Sequence, residues 1–319
     1  MTFVEITPWH WLGFIVFILF FLALDLGVFH RRPRVIGFAE ALAWSVGWFA
    51  LAVLFAAAIF VLRSRQDAVQ FATGYVIELS LSLDNIMVMV FLFAYFHVPA
   101  QLQHRLLFWG ILGVLVMRGT MIVAGVVLIA YFDWILYVLG AFLVYAGFHM
   151  FLSKKEMQPE KNLVSRMVRK IFSVSDNFDG RKFFTRVNGE LWLTPLALAL
   201  LMIETSDLIF AVDSIPAVFS VTQNAFIIFT SNVLAIMGLR SMYFVLAGAI
   251  RYFRYLKIGL SAVLAFIGVK MLIDPHGHEP KWFQVELPVS VSLLVVAAIL
   301  LISIVLSVTT AAREKNSTQ

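Results

Sequence analysis

The chain has no cysteine, so disulfides, thiolate metal sites and dithiol chemistry carried by the chain itself are excluded. Charge is scarce as well: only 13% of the 319 residues are Asp, Glu, Lys or Arg. What remains is 61% hydrophobic and 15% aromatic, with a mean hydropathy of +0.92, far from the composition of a water-soluble domain. No nucleotide-binding motif is present, and the basic residues are spread over several loops rather than gathered into one nucleic-acid surface.

Crossing roughly 30 Å of hydrocarbon at about 1.5 Å per residue takes about 20 apolar residues. Nine runs approach or exceed that length: 11–29, 39–62, 71–96, 106–130, 134–152, 193–219, 225–250, 256–273 and 285–308. Runs this long predict helices, because barrel strands are shorter and alternate. The fold expected is an all-α integral membrane protein of about nine transmembrane helices. Residues 1–152 supply five helices, 153–192 a cytoplasmic loop module, and 193–319 four helices with a short cytoplasmic tail.

With the N-terminus outside, 18 of the 24 Lys and Arg fall in inner segments, nine of them in 153–192, whereas only Arg63, Arg65 and Lys281 fall outside. That asymmetry predicts N-out, C-in. It also accounts for the pI near 9.5 without nucleic acid. A cleaved signal peptide is not expected, because residues 1–10 carry Glu5 and no Lys or Arg. Within the loop module, Asn162 is placed to cap an amphipathic helix suited to a headgroup surface, and Asn188-Gly189 to form a two-residue hairpin turn.

The segment GILGVLVMRGTMIVAG around Arg118 resembles SNVLAIMGLRSMYFVLAG around Arg240, each preceded by an acidic helix and followed by another helix. This sets 71–152 against 193–273. Three helices separate the copies, so the repeat is inverted, an architecture of secondary transporters with a site at the membrane midplane.

The acidic helices hold the chemistry. One reads YVIELSLSLDNIMVMVF, with Glu78, Ser80, Ser82, Asp84 and Asn85; the other reads LMIETSDLIFAVDSIPAVF, with Glu204, Asp207, Asp213 and Ser214. Each ionised carboxylate costs several kcal/mol near the bilayer centre, so five of them require partners. At 100° per residue Glu78, Ser82 and Asn85 share a face, as do Glu204, Asp207 and Ser214. Pro216 cannot donate to residue 212, and a break over 211–216 would redirect Asp213. A cation is one partner. The alternative is ion pairing with Arg118, Arg240 and Lys270 that only holds the bundle together.

Arg118 and Arg240 could compensate the carboxylates until a cation displaces them. Asn232 is a further oxygen ligand or an interhelical hydrogen bond, and Asp25 a gate or an interfacial carboxylate. Oxygen-only ligation suits Mn2+, Mg2+ or Ca2+ and does not choose among them. His276 and His278 read as ordinary loop residues, and Met87, Met89 and Met202 as packing.

Through ELSLSLDN at 78–85 and ETSDLIFAVDSIPA at 204–217, together with FDWILYVLGAFL from Phe132 and TSNVLAIMGLRSMYFVLAG from Thr230, the sequence resembles the TerC/Alx family of bacterial integral membrane proteins, nearest its Alx branch. The resemblance covers nearly the whole chain. It implies Mn2+ export across the inner membrane, alongside links to redox modulation and tellurium resistance. Glu78, Asp84, Asn85, Glu204, Asp207, Asp213 and Ser214 are the positions matching the family motifs. The expectation is a transporter, not an enzyme, with Mn2+ as cargo and no organic cofactor. Its partners are the bilayer, a divalent cation and H+; self-association is left open. The rivals are a redox scaffold acting through 153–192 and an intramembrane aspartate enzyme using Asp84 and Asp207.

The absence of cysteine makes the topology directly testable. A single cysteine placed at Ser64 should react with a membrane-impermeant maleimide in intact cells, and one placed at Lys182 only after permeabilisation. The reverse pattern would invert the orientation.

Overall fold

The computed structural model describes residues 7–24, 37–132, 134–152, 173–175, 177–187, 189–247, 255–274, 285 and 287–317. Asp25, His276, His278, Asn188 and the helix expected near Asn162 lie outside them. Among the described residues there are nine helices: α1 (Pro8–Leu24), α2 (Phe38–Leu62), α3 (Arg65–Tyr95), α4 (Ala100–Tyr131), α5 (Ile135–Leu152), α6 (Pro195–Phe219), α7 (Ala225–Ala247), α8 (Leu256–Ile273) and α9 (Val289–Ser317). Seven are long and apolar enough to cross a membrane; α1 has 17 described residues, and α8 has 18, including Lys257 and Lys270. The chain is therefore an all-α, multi-pass integral membrane protein.

Several helices outrun the apolar segments that announce them. α3 begins at Arg65, six residues before its apolar run, because Ser64 accepts a hydrogen bond from the Asp67 amide (2.9 Å) and Arg63 pairs with Asp67 (2.7 Å). Apolar length reports lipid thickness, whereas capping decides where the helix stops.

Pro216 does not break α6. The helix is continuous from Pro195 to Phe219 and carries Pro216 in its last turn, where the Ser220 amide still donates to the Pro216 carbonyl (3.1 Å). A proline this close to the helix end removes one hydrogen bond without a turn beyond it to misalign. The Ser220 carbonyl, one of the orphan acceptors at that end, accepts from the buried ammonium of Lys270 on α8 (3.1 Å), which also lies 3.4 Å from Asp274.

Small residues set the helix packing, as expected where lipid removes the hydrophobic drive between helices. α5 lies along α8 in the most extensive helix contact of the bundle. A Cβ on Gly268 would stand 2.6 Å from the Val144 amide nitrogen and 2.7 Å from the Gly140 carbonyl oxygen, so the two backbones touch. α3 packs on α7 and α2, α6 on α3 and α4, and α4 on α7. Trp11 and Phe14 fix α1 by aromatic contacts to Phe226 of α7 (5.3 and 6.1 Å between centroids). Outward faces of α1 and α2 expose Leu19, Phe20, Phe49 and Leu54, as a lipid-facing surface does.

The hairpin is present. Strands β1 (Phe184–Val187) and β2 (Glu190–Leu193) pair antiparallel with Val187 opposite Glu190, which leaves a two-residue loop in which Gly189 has φ of +88°. Thr194 follows β2 directly and caps α6 by accepting from the Ala197 amide (3.4 Å). The hairpin is tied to α4 through Phe183, over which the Arg105 guanidinium sits at 5.1 Å. Hydrogen bonds from Thr185 and Lys182 hold the exposed Asp179 carboxyl below its usual pKa.

Replacing Gly268 with alanine should cost about 1–3 kcal/mol, because the methyl meets backbone that cannot yield, and should lower the detergent melting temperature. Gly13, which faces open space, is the matched control, and equal melting temperatures for Gly268→Ala and Gly13→Ala would contradict the close contact.

Candidate cation site

α3 and α6 run antiparallel where they cross, since Asn85 meets Asp207 while residues later in α3 meet earlier ones in α6. The polar face of each helix is thereby turned to the other, and α4 and α7 close the sides. At the centre lies Arg118 of α4, 1% exposed. Its Nη1 donates to Glu78 Oε1 of α3, while Nε and Nη2 form a fork on Asp207 of α6, to Oδ2 and Oδ1 at 3.2 Å each. Asn85 Nδ2 donates to Asp207 Oδ1 (2.9 Å), and Asn232 Nδ2 of α7 donates to Glu78 Oε2 (2.9 Å). Glu78 and Asp207 are 0% and 2% exposed. Four helices thus converge on two carboxylates that share one guanidinium.

Not every polar group nearby is satisfied. Asn85 Oδ1, Asn232 Oδ1, Ser82 Oγ and Ser214 Oγ are buried without a hydrogen-bond partner. The amide orientations are dictated by the carboxylates, because turning either oxygen toward them would set acceptor against acceptor. Ser82 is one turn from Glu78, and Ser214 two turns from Asp207, on the same helix faces. A buried oxygen with no partner costs about 1–3 kcal/mol, and carboxylate, amide and hydroxyl oxygens are the ligand types hard cations take.

Of the residues singled out from sequence, Glu78, Asn85, Asp207, Arg118 and Asn232 are brought into one network, and Ser214 lies buried on the same face of α6 as Asp207. Glu204 and Asp213 are only half-buried. Glu204 sits 60° around α6 from Asp207, and its carboxylate occupies the notch left by Gly113 of α4, which any side chain at 113 would fill. Asp213 is not redirected, because α6 does not break. Asp84 lies on α3 with its side chain outside what is described, and Arg240 is half-buried on α7. Among the described residues no three His, Cys, Asp or Glu side chains gather into a metal-holding group, so any cation here would rely on amide and hydroxyl oxygens as well.

One sequence signal for this arrangement lies in the repeat itself. Laying LDNI at 83–86 on VDSI at 212–215 places Glu78 on Asp207, Asp84 on Asp213 and Asn85 on Ser214. The two carboxylates that clasp Arg118 are then repeat equivalents, as are two of the four unpartnered oxygens.

Removing the shared guanidinium leaves two adjacent buried carboxylates. Arg118→Met should therefore destabilise the protein by about 3–5 kcal/mol, and adding Glu78→Gln and Asp207→Asn should restore most of the loss. Melting in detergent measures both, and an unchanged melting temperature for Arg118→Met would show that the pair does not need its counter-charge.

Residues 63–315 match the model of the integral membrane protein TerC family. The chain is 50% identical over 302 residues to the Myxococcus xanthus membrane protein STKORF319, covering 94% of this chain and 92% of that one. It is 45% identical over 312 residues, 94% of each chain, to Alx of Escherichia coli (strain K12), whose name proposes a membrane-bound redox modulator. A Rickettsia bellii membrane protein is 38% identical over 299 residues, 93% of this chain and 96% of its own. No solved structure matches. With a family model spanning most of its length and relatives alike from end to end, the chain belongs to the TerC family.

Proposed function

We propose that the chain is a secondary transporter that moves a divalent cation, Mn2+ foremost, out of the bacterial cytoplasm across the inner membrane, with its N-terminus outside. The observation that carries this reading is the buried Glu78–Arg118–Asp207 cluster with its surplus of oxygens. A purely structural ion network would be expected to satisfy its amides and hydroxyls, since a half-satisfied network is worse than an apolar core. Here acceptors outnumber donors, and the missing partner has the character of a cation.

In this reading Arg118 is an internal counter-ion. It holds the two carboxylates while no cargo is present, and the cargo takes them over by displacing it. Oxygen ligation by carboxylate, amide and hydroxyl groups suits Mn2+ as well as Mg2+ and Ca2+. The choice of Mn2+ among them leans on the family motifs. Export against a gradient draws on the membrane potential or on protons, and carboxylates outside the cluster, Glu204 and Asp213, are available to exchange H+. Helices α3 to α5 and α6 to α8 act as inverted halves of an alternating-access device; exchanging them maps the α3–α7 contact onto α6–α4 and leaves α5–α8 and α4–α7 in place. A redox role, which the name of the Alx relative proposes for that protein, would need a partner or bound metal, because this chain has no thiol.

The test is Mn2+ flux into proteoliposomes, with Glu78→Gln and Asp207→Asn at matched incorporation. Saturable wild-type flux that falls to background in both variants is expected, together with acceleration by an opposing proton gradient. No flux of Mn2+, Mg2+ or Ca2+ in the wild type would sink the transport reading, and flux indifferent to imposed pH gradients would sink the coupling.

A further inference from the structure

The cluster borders a small crevice between α3 and α6. Its walls include Asn85 and Asp207 at the inner end, Ser206 and Met89 along the way, and Leu92 and Ile203 toward the end where β2 enters α6. On the other side of the cluster the same two helices are sealed by apolar contacts that include Ile77, Leu81, Ala211 and Ile215.

The three methionines of the acidic helices have different surroundings. Met202 and Met89 both pack in the apolar cluster with Ile86, Leu92 and Phe93, but Met202 is fully buried away from the crevice, and Met87 is half-buried and also outside it. Met89 is one turn beyond Asn85 on the same face of α3 and lines the crevice together with Asn85 and Asp207. Asn85 adds a second, independent feature. It is 3% exposed, it spends its amide nitrogen on Asp207, and its Oδ1 remains without a partner in the same crevice. The hydroxyl of Ser206 donates back to the Met202 carbonyl (2.8 Å), which leaves its oxygen lone pairs available. One thioether, one amide oxygen and one hydroxyl therefore precede the Asp207 carboxylate along a single approach.

We propose that Met89 supplies a thioether ligand on this approach, making it a selectivity subsite that favours polarisable transition-metal cations over Mg2+ and Ca2+. This rests on the transport reading and sharpens its substrate class. Carboxylate, amide and hydroxyl oxygens bind all three hard cations; a neutral, soft sulfur adds little for Mg2+ or Ca2+, which hold oxygen ligands, and more for metals further toward the soft end. Discrimination thus comes before the charged cluster, from a group that carries no charge of its own.

The test is Met89→Leu, a swap of similar volume that keeps the packing. Purified wild-type and variant protein are each loaded with Cd2+ and examined by X-ray absorption at the cadmium edge. Metal–sulfur scattering in the wild type that is lost in Met89→Leu is expected; its absence from the wild type, or persistence in the variant, overturns the proposal. In proteoliposomes, with each protein's flux normalised to its own uninhibited Mn2+ rate, Mg2+ and Ca2+ should inhibit Met89→Leu at concentrations on the order of 10-fold lower than wild type. Unchanged competition would also overturn it. If metal–sulfur scattering behaves as expected but no cation is transported, the subsite stands and the transport reading falls. If Asp207→Asn abolishes a real Mn2+ flux while the scattering never contains sulfur, transport stands and the subsite falls.

Discussion

A guanidinium sealed from solvent inside a bundle of apolar helices is tolerable only where anions surround it, and the centre of this protein is built around that requirement. Arg118 draws Glu78 from α3 and Asp207 from α6 onto a single side chain of α4, and Asn232 joins from α7. Helices that offer lipid little reason to choose one neighbour over another are thereby given a fixed mutual register. The arrangement also leaves two amide oxygens and two hydroxyls without partners. The same residues that make the bundle specific set two carboxylates against one guanidinium.

The surroundings keep that centre dry and narrow. Apolar side chains of α3, α6, α7 and α8 close one side of the cluster, while a small crevice between α3 and α6 borders it at Asn85 and Asp207. Glycine at 113 admits the Glu204 carboxylate against α4, so a further acidic group lies beside the cluster.

Membrane architecture was legible in the sequence because hydrocarbon thickness writes itself into apolar run length, and the hairpin because Gly189 sits where a turn needs a positive φ. Helix ends were not, since α3 is set by Ser64 and Asp67 in a polar stretch that hydropathy ignores. The acidic motifs pointed to Glu78, Asn85 and Asp207, but angular position alone could not separate Asp207 from Glu204, only 60° away on α6; the difference comes from Gly113 on another helix. Nor could sequence decide that α6 would run unbroken through Pro216, which depends on how near the helix end that proline falls. Arg118 was visible as an intramembrane charge, whereas its double partnership required knowing that α3 and α6 cross antiparallel beside α4.

The contact between α5 and α8 has a mechanical consequence. Two backbones in contact through Gly140, Gly147 and Gly268 have no compliant side-chain layer between them, so they can neither slide nor part without losing the whole contact. α5 and α8 therefore behave as a single rigid strut within the bundle. If the chain transports as proposed, movement around Arg118 falls to α3 and α6 rather than to this pair.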